Sequence, residues 1–354
     1  MRCPPFYNAQ FPLRRLPLSM SLQQALKHHR DGQLDAAAQA YRDCLAATPD
    51  DADAWHLLGV LQHQRGADAD AAGSIRRAIE LAPERAQYHL SLGGALMQLG
   101  DEVAALASFE RALALDPNSV EAHAVLGYLH LSHGDLEVAE SRFRTGRRAE
   151  DEDPMLLLGL GNLYLGRGDA ERALKFLTRA AEGRPDDAAI QLSVGRAFFM
   201  LGNFAFAERA FDNVLRLKPE LTGARLYQGR IRVRQQQYEA ARTVFSGLLD
   251  AKQQLFGANA GLGDVASAQG QIVAALKYYR RAWSIEPENP GAANACAWCL
   301  EQLGDFAGAA ACLATALDRA PDAHWLRAPL AGLLERAGRS DEATRVRASN
   351  PADA

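Results

Sequence analysis

The sequence predicts an all-α solenoid of stacked antiparallel helix pairs. Three observations carry this. The 354-residue chain aligns with itself without a gap at an offset of 34 residues. In that alignment one column is Ala in all ten units and another is Gly in nine of them. The apolar share, 48% of the chain, is dominated by Ala and Leu, with aromatics only 7%. Ala and Leu are the strongest helix formers, and β-branched residues, which favour strands, are few. A fixed period of this length marks a repeat array rather than several independent domains.

The units begin at residues 18, 52, 86, 120, 154, 188, 222, 256, 290 and 324. Columns 4, 7, 8 and 11 fall at i, i+3, i+4 and i+7, one face of a first helix. In the second unit they are Trp55, Leu58, Gly59 and Gln62. Column 8 is Gly or Ala throughout, from Ala25 and Gly59 to Ala331. Column 15 then ends the first helix. It is Gly at positions such as Gly32, Gly66 and Gly168, and only Gln236 breaks the series. Glycine is suited to this place because a left-handed residue costs it little. Columns 20, 24 and 27 make the stripe of a second helix: Ala71, Ile75 and Ala78, then Ala105, Phe109 and Ala112. Column 32 is Pro in seven units, Pro49 to Pro321, with Asp151 and Gln253 among the exceptions. Proline cannot continue a helix, so it stops the second helix and opens the next unit. Small residues at columns 8 and 20 let the two helices approach closely. A bulky residue at Gly161 is therefore expected to overpack and cost about 1–3 kcal/mol.

These columns resemble the tetratricopeptide-repeat family over Leu18 to about Ser349. The second unit carries Trp55, Leu58, Gly59, Ala71 and Pro83; the fifth carries Leu160, Gly161, Tyr164, Ala173 and Pro185. The resemblance implies a right-handed superhelix whose first helices line a concave face. The first unit has Ser21, Gln24 and His28 where other units are apolar, and the last closes with the polar stretch Arg339–Ser349. Both suit terminal, capping repeats. Residues 1–17 hold Arg2, Arg14, Arg15 and four prolines. They read as a tail, or as sequence upstream of a start at Met20, and 350–354 as a second tail. The solenoid is expected to run without interruption over 18–349.

The resemblance also implies that columns 2, 5, 9, 12 and 13 line a partner-binding groove. In the fifth unit these include Leu158, Asn162, Leu165 and Gly166; in the sixth Leu192, Arg196, Phe199 and Met200; in the seventh Leu226, Arg230, Val233 and Arg234. Apolar side chains with arginines set among them are a common composition of binding hot spots. A carboxylate on a protein or peptide partner is the natural mate of Arg196, Arg230 or Arg234. The same side chains could instead pack laterally, with arginine stems lying over apolar surface. The seventh unit departs from the pattern, with Arg225, Gln228 and Arg232 at columns 4, 7 and 11. Local departures of this kind mark functional places or tolerated degenerate repeats.

Other chemistry has less support. Cys296 and Cys299 have the spacing of a redox or metal half-site, yet they lie inside a first helix and read as core fillers. His29, His56 and His63 fall on groove columns without carboxylates at ligand spacing, and Glu150–Asp153 reads as an exposed loop. No phosphate-binding glycine loop or nucleophile elbow is present, so no enzyme, cofactor or metal is expected. The net charge of −4 gives no footprint for nucleic acid. No apolar run reaches the roughly 18 residues of a membrane span. Five cysteines, an odd number at irregular spacing, suit a reducing compartment, hence a cytoplasmic location.

The expected function is a scaffold or adaptor holding a peptide or protein. The alternative is a substrate-selecting arm that works with a separate glycosyltransferase or sulfotransferase. Against it, column 6 lacks the asparagine ladder of O-linked N-acetylglucosamine transferases, with Leu57, Ser91 and Val125 there instead.

Overall fold

The computed structural model describes residues 19–149 and 152–348, so the expected tails and the loop residues Glu150 and Asp151 lie outside it. The described residues are helical with short turns and contain no strand. They fall into two compact units, one up to Arg184 and one from Pro185.

In the first unit five helix pairs follow one another. The first helices are α1 (Met20–Arg30), α3 (Ala52–Gln64), α5 (Ala86–Gln98), α7 (Val120–His133) and α9 (Pro154–Gly166). Their partners are α2 (Leu34–Ala47), α4 (Asp68–Leu81), α6 (Glu102–Leu115), α8 (Leu136–Ala149) and α10 (Ala170–Gly183). The second unit pairs α11 (Ala188–Met200) with α12 (Phe204–Leu217) and α13 (Thr222–Arg234) with α14 (Tyr238–Asp250). It continues with α15 (Leu255–Ala268) and α16 (Ile272–Ile285), α17 (Pro290–Gln302) and α18 (Phe306–Arg319), and α19 (Arg327–Arg336) and α20 (Ser340–Ala348). A short 3₁₀ turn, His324–Leu326, opens the last repeat.

The turn inside nine of the repeats is built as its glycine requires. All nine column 15 glycines have positive φ, from 74° at Gly270 to 85° at Gly134. The residue that follows frequently caps the second helix: Asp101, Asp169 and Asp305 each accept the backbone N–H three residues on. Such a cap satisfies one of the donors that a helix start leaves open. Between repeats, column 4 side chains reach back to the preceding proline. Trp55, His89, His123 and Gln191 hydrogen-bond to the carbonyls of Pro49, Pro83, Pro117 and Pro185.

The core rests on columns 8 and 24. Column 24 supplies a large apolar side chain from every second helix but the last, which has Arg347 there, and Tyr41, Ile75, Phe109, Phe143, Leu177, Phe211 and Phe245 are all fully buried. Each of the last six sits where a Cβ on its column 8 glycine would stand. At Gly127 that Cβ would lie 2.5 Å from the Phe143 ring, and at Gly161 2.5 Å from Leu177. Phe143 and Phe245 are also pinned from the following repeat, by Gly159 and Gly261. The glycines thus let a ring enter where two backbones meet, and the ring fills the space to native density.

Candidate functional site

The groove columns of the second unit are carried by α11, α13, α15 and α17. Column 5 is not uniformly at the surface. Leu226 is 8% exposed and packs on α15, where a Cβ at Gly257 would lie 2.5 Å from its Cδ2. In the first unit Leu158 and Leu165 are likewise buried, at 1% and 4%. The expectation that Leu158 and Leu226 line a groove is therefore corrected: both side chains are buried, Leu226 in the seam between α13 and α15, and neither offers surface to a partner. Asn162 is half-buried. Leu192 is half-buried against the Phe211 cluster.

Columns 9, 12 and 13 remain accessible. Arg196 and Arg230 are half-buried and Arg234 is exposed. The Arg230 guanidinium lies over the Tyr227 ring, 5.3 Å from its centroid. Tyr227 stacks on Phe211 at 5.0 Å and meets Phe199 edge-on at 5.4 Å. Phe199 in turn packs on Phe204 at 5.9 Å. An aromatic bed thus holds Arg230 by cation–π attraction and fixes its direction. Among the described residues no carboxylate lies within ion-pair distance of Arg196, Arg230 or Arg234. Many arginines elsewhere are paired, as Arg142 is with Glu110.

The next two repeats add residues that the sequence reading did not single out. Asp264 and Trp298 occupy column 9 of the eighth and ninth repeats, the column of Arg196 and Arg230. The signal was available: the same column had only to be followed further. Asp264 accepts a hydrogen bond from Tyr279 Oη at 2.7 Å. Crowding by protein pushes its carboxyl above the usual range even though the side chain reaches solvent; Tyr279, Arg230 and Arg234 act the other way. Trp298 is 40% exposed, Trp325 55% and Met200 46%.

The remaining candidates are engaged in structure. His29 bonds to Tyr41 and Gln64, and His63 pairs with Asp68. His56 bonds to Ser91 and lies against Tyr88. Cys296 and Cys299 are fully buried free thiols, and desolvation pushes them up to about 12 and about 11. They stay protonated near neutral pH, and a thiol rather than a thiolate is a poor nucleophile or metal ligand. Of the acidic stretch, Glu152 pairs with Arg179, and Asp153 caps α9. In the seventh repeat Gln228 bonds to Asp212, while Arg225 is exposed. Among the described residues no three His, Cys, Asp or Glu side chains gather as a metal site would require. Nor is any described helix long and apolar enough to cross a membrane.

Comparison with known proteins agrees with this geometry. The structure is similar to a tetratricopeptide repeat protein from Parabacteroides merdae, with TM-score 0.53 and 18% identity over 69% of this chain and 97% of that one. It is similar to yeast Tom70, with TM-score 0.50 and 15% identity over 92% and 90% of the two chains. It also resembles PilW, described as a widely conserved type IV pilus biogenesis factor, with TM-score 0.50 and 21% identity over 56% and 93%. At these identities the likeness concerns the fold alone. Comparison with curated proteins returns no match. Two family profiles described as Tetratricopeptide repeat match residues 228–293 and 266–328. A third, described as the Cilia and flagella-associated protein 70 C-terminal domain, matches residues 15–225, more than half of the chain. With its unbroken 34-residue period and its paired helices, the chain belongs to the tetratricopeptide-repeat family, and residues 15–225 belong with the group that the third profile describes.

Proposed function

We propose that this chain is a non-catalytic scaffold that holds a protein or peptide bearing acidic groups on the first-helix face of residues 185–354. The observation that carries the reading is the set of arginines at columns 9 and 13. Arg196, Arg230 and Arg234 are in ion-pair contact with no carboxylate among the described residues, and Arg230 is held on an aromatic bed. A guanidinium outside any such contact can still grip a carboxylate with two parallel hydrogen bonds. Exposed Met200 and Trp298 extend the same columns with apolar surface, the composition of binding hot spots. The family's usual role as an interaction scaffold supports the reading. It includes a cytoplasmic location, which suits the free thiols, and excludes nucleic acid as partner.

The test is affinity capture from source-cell lysate with the parent chain and a variant carrying Arg196→Glu, Arg230→Glu and Arg234→Glu. Circular dichroism must first show that the variant keeps its helices. Proteins retained by the parent and lost by the folded variant support the reading. Identical retention by both, or none by either, sinks it.

A further inference from the structure

We propose, resting on that reading, that the occupant of this face is an extended peptide with its charges in blocks: acidic side chains facing Arg196 and Arg230, then a lysine or arginine facing Asp264, then a bulky apolar side chain against Trp298.

The argument begins with spacing. Leu226 of α13 packs directly on Gly257 of α15, so these first helices touch. Helices in contact lie about 8–10 Å apart. A peptide in the extended polyproline-II conformation advances about 3.1 Å per residue with three residues per turn, so crossing one repeat takes about three residues and returns a side chain to the same face. Column 9 changes character from repeat to repeat in the order Arg196, Arg230, Asp264, Trp298. A segment in that conformation laid across α11, α13, α15 and α17 therefore presents every third side chain, all on one face, to a base, a base, an acid and an indole in turn.

Asp264 is what separates this reading from a generic acidic ligand. One of its oxygens accepts the Tyr279 hydroxyl, which fixes the carboxylate in place. The acid Glu301, at column 12 of the following repeat, is already taken by Arg336. Asp264 faces Arg230 and Arg234 closely enough to feel their charge, but at no ion-pair contact. A uniformly acidic peptide would bring a like charge against it, and like charges brought together at an interface cost affinity and reject wrong partners. A basic residue at that point removes the conflict.

Fluorescence anisotropy on the full chain tests this with labelled decapeptides. The first has Glu at its first and fourth positions, Lys at the seventh and Leu at the tenth. The second replaces the Lys with Glu, and the third exchanges Glu for Lys throughout. Each is made also in reversed order, because the strand can run either way. The expected result is that the first peptide, in one direction, binds about tenfold more tightly than the others. Asp264→Asn should abolish that preference while leaving Tyr279 an acceptor, and Asp264→Lys should invert it in favour of the second peptide. Equal binding of the first and second peptides, unchanged by either Asp264 variant but lost on Arg230→Glu, overturns the charge-block inference and leaves the acidic-ligand reading standing. No binding by any peptide in either direction overturns both.

Discussion

At the scale of single residues, the pairing of a missing side chain with a large one sets much of the stability. Gly127 and Gly159, on neighbouring first helices, both lie against the Phe143 ring at its Cδ1, Cε1 and Cζ atoms. Gly127→Ala places a Cβ 2.5 Å from that ring and should cost about 1–3 kcal/mol. Gly73 lies in α4 with nothing within 4 Å of an added Cβ, so Gly73→Ala should stabilise by about 0.5–1 kcal/mol through helix propensity. Urea midpoints of the two variants should move in opposite directions. Movement in the same direction would mean that close packing does not decide these positions. His56 makes a second case. It is 3% exposed, and desolvation, aided by Arg85, holds its pKa down at about 3 against 6.5 in an open chain. The unfolded chain therefore binds a proton that the folded one refuses, and stability falls as pH drops below 6.5 toward 3. Between pH 7 and pH 5 this residue should remove about 2 kcal/mol. His29 and His123 are also shifted down and act with the same sign. In His56→Gln the loss on acidification should shrink by about that amount; an unaltered pH profile would refute the assignment.

Single helices show where the pattern bends. Ten repeats in fixed phase made the helix pairs legible, because Gly, Ala and Pro each act locally on the backbone. What the columns did not show is how the seventh repeat closes without its glycine and proline. The three positive-φ residues other than glycine among the described residues are Gln236, Lys252 and Gln254, all at the ends of α13, α14 and α15. Gln236 adopts the conformation of the absent glycine, so Gln236→Gly should stabilise by about 0.5–1 kcal/mol by removing a left-handed Cβ. Restoring the missing proline should do the reverse. In the seven repeats that carry the proline, the second helix ends on a residue at φ −124° to −145° directly before it. Here α14 stops earlier, Lys252 turns left-handed, and Gln253 N–H donates to Leu248 O at 2.8 Å. Gln253→Pro would delete that bond and place a proline after a left-handed residue, which its ring disfavours. A loss of about 1–3 kcal/mol is expected, read from thermal or urea melts. A gain would show that the family pattern overrides the local geometry.

For the molecule as a whole, the repeat explains both what was readable and what was not. Column positions identified which side chains face a neighbouring repeat, but not how much of each the neighbour covers. Leu158, Leu226 and Arg230 share the same formal face, yet the leucines are buried while the arginine, longer and charged, keeps its head at the surface. Asp264 and Trp298 gained meaning only once the column was seen as a continuous line on adjacent helices. The same nearest-neighbour logic governs stability, since each repeat is held chiefly by the ones beside it. Phe245 is a sharp test. It is fully buried, wedged between Gly229 of its own repeat and Gly261 of the next. Phe245→Ala leaves a cavity shared by two repeats and should cost about 3–5 kcal/mol. Because the lesion is local, amide hydrogen exchange should accelerate most in α13 to α16 and less in α18 to α20, at the far end of the same unit. Uniform acceleration through α20 would mean that the second unit unfolds as one cooperative block rather than repeat by repeat.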